Sequence, residues 1–137
     1  MKNFFPNKTA LYALVAACFV VCATMGVRQT FGLYSSEFET SAGTSNTEFG
    51  LAIAVHAIIW GIFTPIFGRI SDRLGGYVVI VPALIFYSIA MILMGNNYVS
   101  GIWLQINLGL FVGLGLAGAA GTILTPMISK HFPNENR

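Results

Sequence analysis

Arg28 and His56 are ionisable side chains inside long apolar stretches of this sequence. A charged residue within a membrane helix is energetically costly, so it rarely faces lipid. A guanidinium binds a carboxylate through two parallel hydrogen bonds, and an imidazole exchanges its proton near neutral pH. Thr24 lies one turn before Arg28, and Gln29 follows Arg28 directly. These four residues are therefore candidates for binding an anionic solute, with His56 as a candidate proton carrier.

Both ionisable residues also have a structural interpretation. The Arg28 head group could extend to the membrane surface while its methylene groups stay in the apolar region. A lone histidine in a helix, such as His56, is more often a hydrogen-bonded core residue than a proton carrier. If the first two helices are antiparallel, however, Arg28 and His56 lie at similar depth, which favours a shared cavity.

Chemistry of other kinds is not indicated. The sequence shows no pairing of a nucleophile with a base, no paired carboxylates and no cluster of metal ligands, so we expect neither an enzyme nor a protein with a metal or another cofactor. Cys18 and Cys22 are interpreted as small buried hydrophobic residues. A net charge of +2 without a basic stripe argues against nucleic acid as a partner.

The composition indicates which elements position these residues. Of the 137 residues, 55% are hydrophobic and 9% are charged, whereas about a quarter of a typical soluble domain is charged. The sequence therefore predicts an all-α, polytopic protein in a lipid bilayer, with an uncleaved first helix. Its four transmembrane helices are expected at about residues 10–34, 49–67, 77–94 and 101–128, with residues 1–9 and 129–137 outside the membrane.

Polar segments separate these predicted helices. Residues 35–48 form the longest of them, and Ser45-Asn46-Thr47-Glu48 at its end matches a capping box that would start the second helix near Thr47. Lys and Arg occur in the N-terminal segment, between the second and third helices, and in the tail, but not in the two remaining loops. This distribution predicts that both termini are cytoplasmic.

The fourth predicted helix carries a small residue at every fourth position, namely Gly109, Gly113, Ala117 and Gly121. Such a pattern lets helix backbones approach closely, so these four residues are predicted to form a helix-packing seam. In a transporter the same seam would also let one helix slide or rock against another.

Residues 68–76 are predicted to form a short cytoplasmic loop between the second and third helices. Gly68, Asp72, Arg73 and Gly75 match the pattern Gly-x-x-x-Asp-Arg-x-Gly-x-Arg/Lys. The segment thereby resembles the signature loop of the major facilitator superfamily of transporters, with Tyr77 in place of the last basic residue. The resemblance implies that this loop is a conformational latch, whose aspartate contacts helices of the other half of the transporter.

The resemblance covers the whole chain, as the first four of the twelve helices usual in that family. It implies the N-terminal part of a secondary transporter in the bacterial cell inner membrane. Such a part would carry a small solute together with the missing C-terminal helices, and the tail at residues 129–137 would then be truncated. Residues 28–32 and Phe132-Pro133 resemble the branch that carries organic anions and monocarboxylates.

One departure from the family concerns proton coupling. Many proton-coupled members have an Arg-x-x-x-Gly pattern in the fourth helix. Here that helix has no Arg or Lys before Lys130. The departure argues against antiport-type proton coupling.

Two other kinds of membrane protein are alternatives. One is a complete four-helix exporter that works as an oligomer. Such exporters use a glutamate in the first helix, where this sequence has Arg28 and no acid. The other is a non-transporting membrane subunit whose small-residue seam binds a partner helix.

Overall fold

The computed structural model describes residues 8–96, 100–119 and 121–129. Every regular element in this part of the chain is a helix. Four helical segments are long and apolar enough to cross a membrane: Leu11–Thr40, Asn46–Leu74, Gly76–Gly95 and Gly101–Pro126. The prediction of an all-α membrane protein with four spans is therefore confirmed.

The first and fourth segments are composed of several helices, whereas the second and third are single ones. Helix α1 (Lys8–Thr30) continues through a 3₁₀ turn (Phe31–Tyr34) into α2 (Ser35–Ala42). Helices α3 (Asn46–Leu74) and α4 (Gly76–Gly95) follow. The fourth segment consists of α5 (Gly101–Leu104), a π-helical stretch (Gln105–Phe111), α6 (Val112–Gly118) and α7 (Gly121–Ser129).

The connection between the first and second segments is shorter than predicted. Residues 35–48 were expected to be a polar loop, but helix α2 occupies this stretch as far as Ala42. Gly43 ends α2 in the left-handed conformation, with φ of 64°, which glycine adopts without strain. The capping box is confirmed. The Ser45 hydroxyl accepts from the Glu48 N–H, and the Glu48 carboxylate accepts from the Ser45 N–H at 3.0 Å.

The predicted loop at residues 68–76 is wrong for most of its length. Gly68, Asp72 and Arg73 lie in the last two turns of α3, and Gly75 alone separates α3 from α4. Charged residues are compatible with a helix, so the charges in this stretch do not end α3. The chain turns at Gly75, whose φ of 97° and ψ of 148° belong to a region that is accessible essentially only to glycine.

The fourth segment forms the core of the described structure. Its side chains Leu104, Leu108, Val112 and Leu116 are fully buried between α3 and α4. Helix α1 instead packs on α4 and α7 through a second cluster that contains Ala17. Much of the α1 surface is therefore open.

The two cysteines of α1 illustrate this openness. Cys18 and Cys22 are exposed, so the prediction that they are buried hydrophobic residues is wrong. They lie on α1 faces that the described part of the chain does not cover, which the sequence pattern alone could not reveal.

The small residues of the fourth segment contact α3. A Cβ atom added at Gly109 would lie 2.8 Å from Cγ1 of Val55, and one added at Gly113 would lie 3.0 Å from Cγ2 of Ile59. A side chain at Gly109 would force the Val55 side chain to shift, so the glycine allows the two helices to approach closely. The predicted seam fails at Gly121, where an added Cβ would have no neighbour within 4 Å.

Two further glycines of the fourth segment, Gly115 and Gly118, face α4. A Cβ atom added at Gly115 would lie 2.7 Å from Cβ of Tyr87 and 3.0 Å from the carbonyl oxygen of Ala83, while one at Gly118 would collide with the side chain of Ala83. Between these two faces, Ala117 is fully buried. The fourth segment therefore makes close backbone contacts with α3 and α4 at the same time, rather than along one seam.

Candidate functional site

Arg28 and His56 meet between α1 and α3. The Arg28 Nε–H donates to Nε2 of His56 at 3.3 Å. His56 is only 1% exposed, and its Nδ1 has no hydrogen-bond partner in the described part of the chain. Because Nε2 accepts a hydrogen bond, a neutral imidazole carries its proton on Nδ1. The Nδ1–H of His56 is thus a buried donor without an acceptor in the described part of the chain.

Trp60 contacts both Arg28 and His56, and the three residues form one cluster. It lies four residues after His56 on the same face of α3, and the two rings stack with centroids 6.2 Å apart. The central carbon of the Arg28 guanidinium lies 4.9 Å from the centre of the Trp60 ring, within the range of a cation–π interaction. The Arg28 guanidinium is therefore held against α3 by both residues. Trp60 was not among the predicted site residues.

The other two predicted site residues do not join the cluster. Thr24 is buried, but its hydroxyl donates to the carbonyl of Val20 at 2.8 Å within its own helix. The carbonyl of Thr24 accepts from the Tyr87 hydroxyl at 3.2 Å, which links α1 to α4. Gln29 is exposed, and it points about 100° around the helix from Arg28. The structure therefore brings together Arg28 and His56 but neither of their α1 neighbours.

A cleft of about 540 Å³ opens next to the cluster, between α1, α3 and α7. This volume is within the range of pockets that hold small molecules, about 300–1,000 Å³. Trp60 forms part of its wall, together with Met25, Ala57, Gly61, Thr64, Pro65, Gly121 and Thr122.

Polar groups in the cleft wall come from α3 and α7. Pro65 has no N–H, so the carbonyl of Gly61 lacks its usual helical donor. The Thr64 hydroxyl donates to the carbonyl of Trp60 at 2.6 Å, and Thr122 is exposed on the opposite wall. The cleft is apolar with a few polar groups, as is usual for a small-molecule site.

The π-helical stretch contacts both α3 and α4, and Phe111 at its end stacks on Phe86 of α4. Its first residue, Gln105, donates from Nε2 to the carbonyl of Glu48 at 3.1 Å, and Asn107 in the same stretch is fully buried. Short π-helical stretches in proteins are frequently found at functional sites. No sequence signal pointed to this feature.

The residues of the predicted latch lie at the far end of α3 from the capping box. Asp72 and Arg73 are both exposed there, and Gly68 precedes them by about one turn. Gly75 forms the joint to α4. Their role as a latch stays a prediction.

Four apolar spans, with contacts among Arg28, His56 and Trp60 between the first and the second of them, define an integral membrane protein. The chain belongs to the Major Facilitator Superfamily, whose family model matches residues 9–137. The resemblance that the sequence pattern indicated is thereby confirmed.

Two curated bacterial proteins are similar to the chain. The class E tetracycline resistance protein of Escherichia coli is 28% identical over 133 residues, which cover 96% of this chain and 31% of that protein. The class H tetracycline resistance protein of Pasteurella multocida is 29% identical over 94 residues, which cover 66% of this chain and 22% of that protein. The chain thus spans less than a third of the length of these relatives. No solved structure matches the chain.

Proposed function

We propose that this chain forms the first four helices of a secondary transporter in the bacterial cell inner membrane and that the cluster of Arg28, His56 and Trp60 contacts a small organic anion. The contact of Arg28 with both partners carries the proposal. The remaining helices of such a transporter would cover the open surface of α1, and both termini would lie in the cytoplasm, as the Lys and Arg distribution predicts.

The geometry of Arg28 supports an anionic solute. Its Nε is engaged by His56, and its plane is held by Trp60. The two terminal nitrogens have no partner within the described residues. A guanidinium held in this way can bind a carboxylate through its two terminal nitrogens, since two parallel N–H···O hydrogen bonds match the geometry of both groups.

His56 would add a second contact. Its Nδ1–H is buried without an acceptor in the described structure, and such a group costs about 1–3 kcal/mol of desolvation. A solute oxygen that accepted from Nδ1 would recover this energy. Arg28 and His56 would then act together on one solute.

A tetracycline-like drug is the second candidate solute. Both curated relatives are tetracycline resistance proteins, and the flat Trp60 ring in the cleft wall would suit a planar polycyclic molecule. This candidate makes less use of Arg28, because stacking rather than charge would dominate its binding.

Equilibrium dialysis of the purified chain in detergent with radiolabelled benzoate or tetracycline tests both candidates. We expect Arg28→Gln to weaken benzoate binding by about 10- to 100-fold, the loss of a charge-assisted hydrogen bond. Trp60→Leu should weaken tetracycline binding more than Arg28→Gln does if the second candidate is right. Lys8→Gln, which removes a charge at the start of α1, is the matched control. Unchanged benzoate binding in Arg28→Gln would refute the anion proposal.

A further inference from the structure

We propose that Arg69 and Arg73, in the last two turns of α3, bind the phosphate of an anionic phospholipid head group. The site lies at the opposite end of α3 from the capping box and is separate from the Arg28 cluster. Its ligand is a component of the surrounding membrane rather than the transported solute.

The side chains form an amphiphilic surface. Arg69 and Arg73 are four residues apart, so they lie on one face of α3, and both are exposed. With Ile70 and Leu74 they line a concave surface of about 440 Å³. Leu74 is 68% exposed. Two cations beside two apolar side chains match the phosphate and the adjoining acyl chains of a lipid.

The depth of the surface agrees with a lipid head group. Helix α3 has 29 residues and is about 43 Å long, whereas the hydrocarbon core of a bilayer is about 30 Å thick. About 20 residues are enough to span that core, and counted from Phe49 they end near Gly68. The two arginines follow directly. Tyr77, at the start of α4, is 71% exposed, and tyrosine is enriched at this level of membranes.

The local charges leave the two guanidinium groups available. Neither forms an ion pair within the described part of the chain. Asp72 carries the nearest negative charge in sequence, but it does not line the concave surface. The first turn of α4 contains no acidic residue, and no side chain caps its N–H groups. Arginine binds phosphate through two parallel hydrogen bonds, so two neighbouring arginines suit one phosphate group.

A lipid is favoured over free phosphate because of Ile70 and Leu74. Inorganic phosphate would contact only the charged half of the surface, whereas a phospholipid would also cover the exposed Leu74 side chain. Free phosphate is therefore a competitor in the test rather than the proposed ligand.

Native mass spectrometry of the purified chain in detergent tests the site, with phosphatidylglycerol, phosphatidylcholine and inorganic phosphate as probes. We expect one phosphatidylglycerol to bind in preference to phosphatidylcholine. Arg69→Gln and Arg73→Gln should each weaken its binding about fivefold, and the double variant about 25-fold, because each removes one of the two guanidinium groups that contact the phosphate. Lys8→Gln should bind phosphatidylglycerol like the unchanged chain.

Three results would overturn the proposal. The first is a double variant that binds phosphatidylglycerol as tightly as the unchanged chain. The second is equal affinity for the anionic and zwitterionic lipids. The third is displacement of the lipid by an equal concentration of inorganic phosphate, which would assign the two arginines to free phosphate. Far-UV circular dichroism of each variant verifies that the helices are retained, and a double variant of Arg69→Lys and Arg73→Lys should recover part of the affinity.

Discussion

Gly115→Ala tests the close contact between α6 and α4. An added Cβ would lie 2.7 Å from Cβ of Tyr87, 3.1 Å from its Cα and 3.0 Å from the carbonyl oxygen of Ala83. These atoms belong to the backbone of α4 or are attached directly to it, so no side-chain rotation relieves the overlap. The two helices would have to move apart, which for an overpacked core costs about 1–3 kcal/mol.

Gly61→Ala is the matched control for this substitution. Gly61 lies in the middle of α3, and an added Cβ there would meet nothing within 4 Å. Both substitutions gain the helix propensity of alanine over glycine, about 1 kcal/mol. The difference between the two variants therefore isolates the contact with α4. We expect Gly115→Ala to be less stable than Gly61→Ala by about 1–3 kcal/mol.

The assay is reversible unfolding of the chain in mixed micelles with increasing sodium dodecyl sulfate, followed by far-UV circular dichroism. It yields a free energy of unfolding for each variant. If the two variants differed by less than about 0.5 kcal/mol, the range of an ordinary surface substitution, the close packing of α6 on α4 would be refuted.

Three further predictions concern other parts of the chain. Tyr87→Phe removes the hydrogen bond to the carbonyl of Thr24 and should lower the free energy of unfolding by about 1 kcal/mol in the same assay, whereas no change would mean that this bond does not link α1 to α4. Ser45→Ala removes the cap of α3 and should cost about 1 kcal/mol, with faster amide exchange confined to its first turn; uniform exchange would contradict a local cap. For the orientation, a membrane-impermeant maleimide added to spheroplasts should label Glu39→Cys but not Arg73→Cys, in a variant whose native cysteines are serine. The reverse labelling would invert the proposed topology.

The membrane architecture could be predicted from the sequence because long apolar runs with few charges are typical of helices that span a bilayer and rare in water-soluble domains. Ends of helices were harder to predict. Charges at Arg69, Asp72 and Arg73 suggested a loop, yet a helix that leaves the hydrocarbon region needs no break there, and α3 continues to Leu74. Only the backbone requirement at Gly75 ends it.

The candidate site was partly predictable. Arg28 and His56 were expected at similar depth in antiparallel helices, and they form a hydrogen bond. Gln29 was included for its nearness in sequence, but one residue is about 100° around a helix. Trp60 was overlooked because an aromatic residue among apolar ones carries no distinct signal until the histidine one turn away is known to be buried.

The packing of the fourth segment depended on neighbours that the sequence does not specify. A repeat of small residues at every fourth position predicts one contact face, and Gly109 and Gly113 do pack on α3. The second face, formed by Gly115 and Gly118, follows a three-residue spacing and could be assigned to α4 only in three dimensions.

The π-helical turns at Gln105–Phe111 determine how α6 is rotated about the axis of the fourth segment. Each π turn takes up more residues than an α turn, so α6 starts from a different rotation about the shared axis than an uninterrupted α-helix would give it. If this stretch became α-helical with one residue fewer, α6 would be rotated by about 100° about the helix axis. Gly115 and Gly118 would then swing away from α4, and the two helices would lose the glycines that let them touch. A change in hydrogen-bond register at one level of the membrane would thus be converted into a rotation at another.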